Sequence, residues 1–151
     1  MLSRMYPFWS FVIAIFLAQF LKPFVVMIQK KKFYPRYFFA SGGFPSSHTA
    51  GVAALTMAVG INEKFDSTIF AVALALGIIV AYDAANVRYY AGKNISLTHQ
   101  IVEDLSTSNL LETDDPIYNE RIKEVLGHKW SEVLGGGILG VFVAILLYYL
   151  Q

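Results

Sequence analysis

Apolar residues dominate four stretches of the chain, and polar clusters separate them. Pro7–Ile28 and Trp130–Leu150 are each long enough to cross a bilayer, which takes roughly 20 apolar residues in a helix. Ser67–Val87 is a third such segment, opened by an Asp66-Ser67 helix cap. The fourth, His48–Ile61, has only 14 residues, and that length predicts a helix that tilts or sits inside the bundle. Asn62-Glu63-Lys64-Phe65-Asp66 reads as a tight polar turn, so the second and third segments form a helical hairpin. The expected fold is an all-α integral membrane helical bundle in one domain, residues 1–151, with helical segments at 7–28, 48–61, 67–87 and 130–150.

Composition agrees with this reading. Hydrophobic residues make up 56% of the chain and charged ones 15%, too apolar for an ordinary soluble domain. The net charge of +1 gives no reason to expect a nucleic-acid partner, and the lack of cysteine excludes disulfides and thiolate metal sites. Lys30-Lys31-Lys32 follows the first apolar stretch in place of a small-residue cleavage site, so that stretch reads as a retained membrane helix.

Charge is unequal between the loops. Lys30, Lys31, Lys32 and Arg36 follow the first helix, and Arg88, Lys93, Arg121, Lys123 and Lys129 lie between the third and fourth. Only Arg4 and Lys64 lie on the other side. Short loops rich in Lys and Arg stay in the cytoplasm, which puts both basic loops inside and both termini outside if all four segments span. The lysine triplet doubles as a contact for anionic lipid. Within the long third loop, Ser106–Pro116 reads as a polar excursion, and Pro116–Leu126 as a short amphipathic helix with Ile117, Ile122, Val125 and Leu126 on one face.

Three polar groupings share the basic side. Gly42-Gly43-Phe44-Pro45-Ser46-Ser47-His48 joins a basic loop to an apolar helix. Its glycines let the backbone bend, its serines cap the helix, and the exposed amides of the first turn form a seat for an anion such as phosphate. The second grouping, Asp83 to Arg88, closes the third helix; the third, Gly127 to Glu132, opens the fourth. His128 and Glu132 are one helical turn apart, so imidazole and carboxylate can meet. A carboxylate bound to one ring nitrogen leaves the other available as base or nucleophile.

Pro45-Ser46-Ser47-His48 resembles the Pro-Ser-Gly-His motif of the type 2 phosphatidic acid phosphatases (PAP2), whose superfamily includes vanadium haloperoxidases. The chain is most similar to a divergent branch of small bacterial and plastid membrane proteins, through Gly42 to His48, Tyr82 to Arg88 and Leu126 to His128 in that order. The resemblance runs from about Gln19 to Gly137. It implies that His128 attacks phosphorus, that Glu132 orients it, and that His48 protonates the leaving oxygen. It further implies that Ser46, Ser47 and Gly43 hold the phosphate with Arg88, and that Lys22 is a candidate for a further cation. The chemistry so implied needs no metal and no cofactor, and proceeds through a phosphohistidine.

The chain departs from the superfamily pattern in three respects. Arg88 and His128 are separated by 39 residues, where the superfamily has only a few. Lys30 and Arg36 come close to the spacing of a Lys-x6-Arg-Pro motif, with five residues between them, but no proline follows Arg36. Glu132 stands where the usual residue is Asp.

Other features have plainer readings. Gly135-Gly136-Gly137 with Gly140 suits close helix packing, and a homodimer through Gly135–Gly140 is the expected assembly. Tyr148-Tyr149 suits an interfacial belt, and His99 lies outside every motif. Lys22 and Asp83 are both set inside the membrane from the basic face, and the expectation is that they pair across the first and third helices, with Pro23 kinking the first. The expected function is hydrolysis of a lipid phosphate or isoprenyl (di)phosphate at the cytoplasmic face of a bacterial plasma membrane. Rival readings are a lipid-phosphate binding or transport protein and a scaffold using the charged loop.

Overall fold

The computed structural model describes residues 2–40, 42–108 and 128–150. Helix α1 spans Leu2–Lys30 and runs through Pro7 and Pro23 without interruption. A 3-10 turn at Pro35–Phe39 then leads to α2, Ser47–Glu63. Helices α3, Thr68–Ala85, and α4, Val87–Thr107, follow, and α5 spans Trp130–Leu150. Among the described residues three stretches are long and apolar enough to cross a membrane: Met5–Lys30, Thr68–Thr107 and Trp130–Leu150.

The short α2 is the centre of the bundle. It packs against α5, α1 and α3, and buries nine of its 17 residues, among them Ala50, Ala54 and Ala58. Its caps are local chemistry. The Ser46 side chain accepts from Thr49 N at the start, and Lys64 ends the helix at positive φ. Ser67 caps α3 in the same way, through Phe70 N. Thr56 Oγ1 donates to Val52 O (2.8 Å) and Ala73 O (3.1 Å), fastening α2 to α3 in mid-bundle.

Close approach defines the seam between α2 and α5. A Cβ on Gly136 would run into the carbonyl of Ser46, and one on Gly140 into the carbonyl of Ala50 and, at 2.9 Å, the Ala54 nitrogen. The glycine pattern therefore does serve helix packing, and the partner at Gly136 and Gly140 is α2 of the same chain. At the far end Tyr6 Oη donates to Ala144 O (2.6 Å), tying α1 to α5.

Residues 87–107, read as loop from their charges, form α4. Its half-buried or buried positions Gly92, Ile95, His99, Val102 and Ser106 recur every three or four residues, the spacing of one helix face. Polar residues between them lower the average hydropathy and hide the periodicity. The proposed helix at Pro116–Leu126 and most of the Ser106–Pro116 excursion lie outside the described residues.

Candidate functional site

Four helix ends converge at one end of the bundle: the C-terminal parts of α1 and α3, and the N-termini of α2 and α5. Backbone hydrogen bonds lock them together. His128 N donates to Ala84 O (2.9 Å), and Ser46 N donates to Glu132 O (2.9 Å). The two helix N-termini bring the positive ends of their dipoles to one place, which favours an anion there.

His128 is 1% exposed. Its Nδ1 lies 2.9 Å from Glu132 Oε2. An ionised carboxylate only accepts, so Nδ1 carries the proton and a neutral ring presents its lone pair at Nε2. Among the described residues Nε2 has no hydrogen-bond partner. Glu132 is held in turn. It is the third residue of α5, and Oε2 also accepts the Lys129 amide at 3.2 Å, the backward reach of a capping-box glutamate. This geometry gives glutamate a physical reason to stand in place of aspartate: the longer side chain reaches both the cap amide and the imidazole.

His48, in the first turn of α2, places its ring centroid 6.4 Å from that of His128 and is exposed at the mouth of the site. The loop that delivers it bends at Gly43, whose φ of +93° suits glycine, and has a cis Phe44–Pro45 peptide. Ser46 Oγ accepts from Thr49 N (3.4 Å) and Thr49 Oγ1 (3.0 Å), so its own proton is not used by these bonds.

Ser47 is tied to α1 through its side chain. Its hydroxyl donates to Gln19 Oε1 at 2.6 Å. The Gln19 amide nitrogen donates to Phe38 O (2.7 Å) and Ala40 O (3.1 Å). Carbonyls cannot donate, so the two backbone acceptors fix which way the Gln19 amide faces and commit the Ser47 proton to it. Gln19 thus ties α1 to both the start of α2 and the loop before the glycines. The sequence signal for it was a lone glutamine in an apolar span, one turn before Lys22.

Lys22 is 2% exposed and donates to Ala40 O at 3.0 Å. The bond it makes is to this loop carbonyl, not to Asp83 as the sequence suggested. The cause is topological: α2 stands between α1 and α3, so the inner face of α1 meets α2 and α5. Arg88 is the second residue of α4, just past the end of α3, and its side chain lies outside the described part of the structure. Among the described residues no three His, Asp or Glu side chains cluster as metal ligands.

The structure therefore brings His128, Glu132, His48, Ser46 and Lys22 to one end of the bundle, with Gly43 in the loop that shapes it. This constellation can hold an anion beside a nitrogen nucleophile. A family model described as the Divergent PAP2 family matches residues 4–143. The chain is 33% identical over 149 residues to a Bacillus subtilis (strain 168) protein named "Uncharacterized membrane protein YuiD", covering 95% of this chain and 94% of that one. No solved structure matches the chain. Its apolar helices, its three motifs in order and a family match over nearly its whole length lead to one conclusion: the chain belongs to the divergent PAP2 family of membrane proteins.

Proposed function

We propose that the protein is a metal-independent lipid phosphate phosphatase working at the cytoplasmic membrane surface through a phosphohistidine. The observation that carries this reading is the state of His128: Nδ1 held by Glu132, Nε2 buried and unpartnered among the described residues, and a second histidine ring alongside. A buried polar atom without a partner costs stability, and such a cost is commonly retained where the atom has work to do.

In the reaction, His128 Nε2 attacks phosphorus and the bond to the lipid oxygen breaks. His48, protonated, gives its proton to that oxygen, and the lipid alcohol leaves, or the lipid monophosphate where the substrate is a diphosphate. Water then attacks the phosphohistidine, His48 takes a proton from the water, and the P–N bond breaks to release orthophosphate. Glu132 keeps its hydrogen bond to Nδ1–H throughout and offsets the positive charge that develops on the ring. Lys22, Ser46, Arg88 and the first-turn amides of α2 balance the phosphate charge. A site at the bilayer boundary suits a substrate with a buried tail and a charged head, such as phosphatidate, phosphatidylglycerol phosphate or an isoprenyl (di)phosphate.

The test is phosphate release by the detergent-purified protein from a panel of lipid phosphates in EDTA, beside His128→Ala. Release that survives chelation and disappears in the variant supports the reading. No release from any lipid, with vanadate still protecting the fold, moves the assignment to lipid-phosphate binding or transport.

A further inference from the structure

The segment that follows α1 carries cations the hydrolytic site does not use. Lys30, Lys31, Lys32 and Arg36 fall within residues 29–40, a stretch that contains no acidic residue. It begins where the Met5–Lys30 span ends, at the height of the lipid headgroups.

This segment is an ordered platform. The rings of Phe33 and Phe38 pack against Phe24 of α1 at 5.9 and 6.5 Å, the first tilted and the second edge-on, and Phe38 also meets Phe20 at 5.7 Å. Gln19 and Lys22 hold its far end by the carbonyls of Phe38 and Ala40. Two other rings position the charges. The Arg36 guanidinium lies 5.5 Å from the Tyr34 ring centre and 5.6 Å from that of Tyr37. Lys32 sits over Tyr34 at 5.8 Å and Lys30 over Tyr37 at 6.0 Å. Two electron-rich faces thus gather three mutually repelling cations, and an anion completes the balance. Phe39, 90% exposed, stands beside them as an apolar contact for acyl chains.

We propose that residues 30–39 form a docking site for the headgroup of an anionic phospholipid, made by Lys30, Lys32 and Arg36 arrayed on Tyr34 and Tyr37. The site is separate from the histidine pair and does not depend on hydrolysis there. Position at the end of a membrane span and the exposed phenylalanine select a bilayer lipid over phosphate in solution. Diffuse positive charge alone would need neither tyrosine.

The experiment is native mass spectrometry of the full chain, released from neutral detergent with phosphatidylglycerol or phosphatidylcholine of matched acyl chains. Wild type should retain phosphatidylglycerol on the order of 10²-fold more than phosphatidylcholine, since each of the three cations near an anionic lipid is worth about a 5-fold preference. Tyr34→Leu/Tyr37→Leu keeps every charge, and with it the membrane orientation, yet should lose several-fold of the preference. Where that variant does not fold, Arg36→Gln, altered at an exposed side chain, should show the same loss. His128→Ala and Lys64→Gln should bind as wild type. Equal retention of both lipids, an unchanged preference in the tyrosine or Arg36 variant, loss in His128→Ala, or displacement by millimolar inorganic phosphate would each overturn the proposal.

Discussion

Adjacent glycines on α5 should respond to alanine with opposite signs. Gly136 faces the carbonyl of Ser46, so the added methyl meets backbone that cannot rotate away. Overpacking of this kind costs about 1–3 kcal/mol. Gly137 is open: the nearest atom to its Cβ position is Thr49 Cγ2 at 4.0 Å, an ordinary contact. There alanine gains at most about 1 kcal/mol of helix propensity. Gly136→Ala enjoys the same propensity gain, so the difference between the two variants is the overpacking cost alone, about 1–3 kcal/mol. The assay is reversible unfolding of each variant in mixed mild detergent and SDS, read by tryptophan fluorescence and circular dichroism. Gly136→Ala should unfold earlier than Gly137→Ala, with Gly137→Ala at or above wild type. Because Ser46 N is bound to Glu132 O one turn away, Gly136→Ala should also displace the site and lower phosphate release more than its instability explains. Equal midpoints for the two variants would refute the close seam between α2 and α5.

Three further outcomes are expected. Glu132→Gln should keep the fold and lower phosphate release on the order of 10²-fold to 10⁴-fold, the usual worth of a positioned acid–base system; full activity would remove Glu132 from the mechanism. Gln19→Leu strands the Phe38 carbonyl and the Ser47 hydroxyl, each costing about 1–3 kcal/mol when unsatisfied, while Ala40 O keeps Lys22, and Ser47→Ala added to it should cost less than the sum of the single changes. Strict additivity in detergent unfolding would show that the two side chains act independently. Vanadate, a phosphate mimic, should raise the unfolding midpoint of the wild type, about 2.7 kcal/mol at a hundred times its Kd, and leave His128→Ala unmoved. Protection of both proteins alike would place the anion elsewhere.

The apolar runs at Pro7–Ile28, Ser67–Val87 and Trp130–Leu150 were legible because membrane helices announce themselves by length. Ser46 and Ser67 were legible because capping is local chemistry. His128 with Glu132 followed from the 3.6-residue period, and the bond is present at 2.9 Å. What depended on which helices are neighbours was not legible. The partner of Lys22 turned on α2 lying between α1 and α3, a property of the packed bundle that no spacing along α1 contains. Gln19 was silent because a single amide has no pattern, and its role arises from three segments meeting around it. Helix α4 was hidden by its own polar face, which averages away the apolar stripe at Ile95 and Val102.

The bond from Tyr6 to Ala144 bears on how the bundle can move. A carrier must expose its cargo to each side of the bilayer in turn, so its helices have to part at both ends. Here, at the end away from the histidines, this bond ties α1 to α5, and Ala14, Ala54, Ala58 and Val143 are buried in the same cluster as Tyr6. Parting the helices at that end would have to break this bond and unpack those side chains, a cost that a hydrolase acting on headgroups at the other end would not meet.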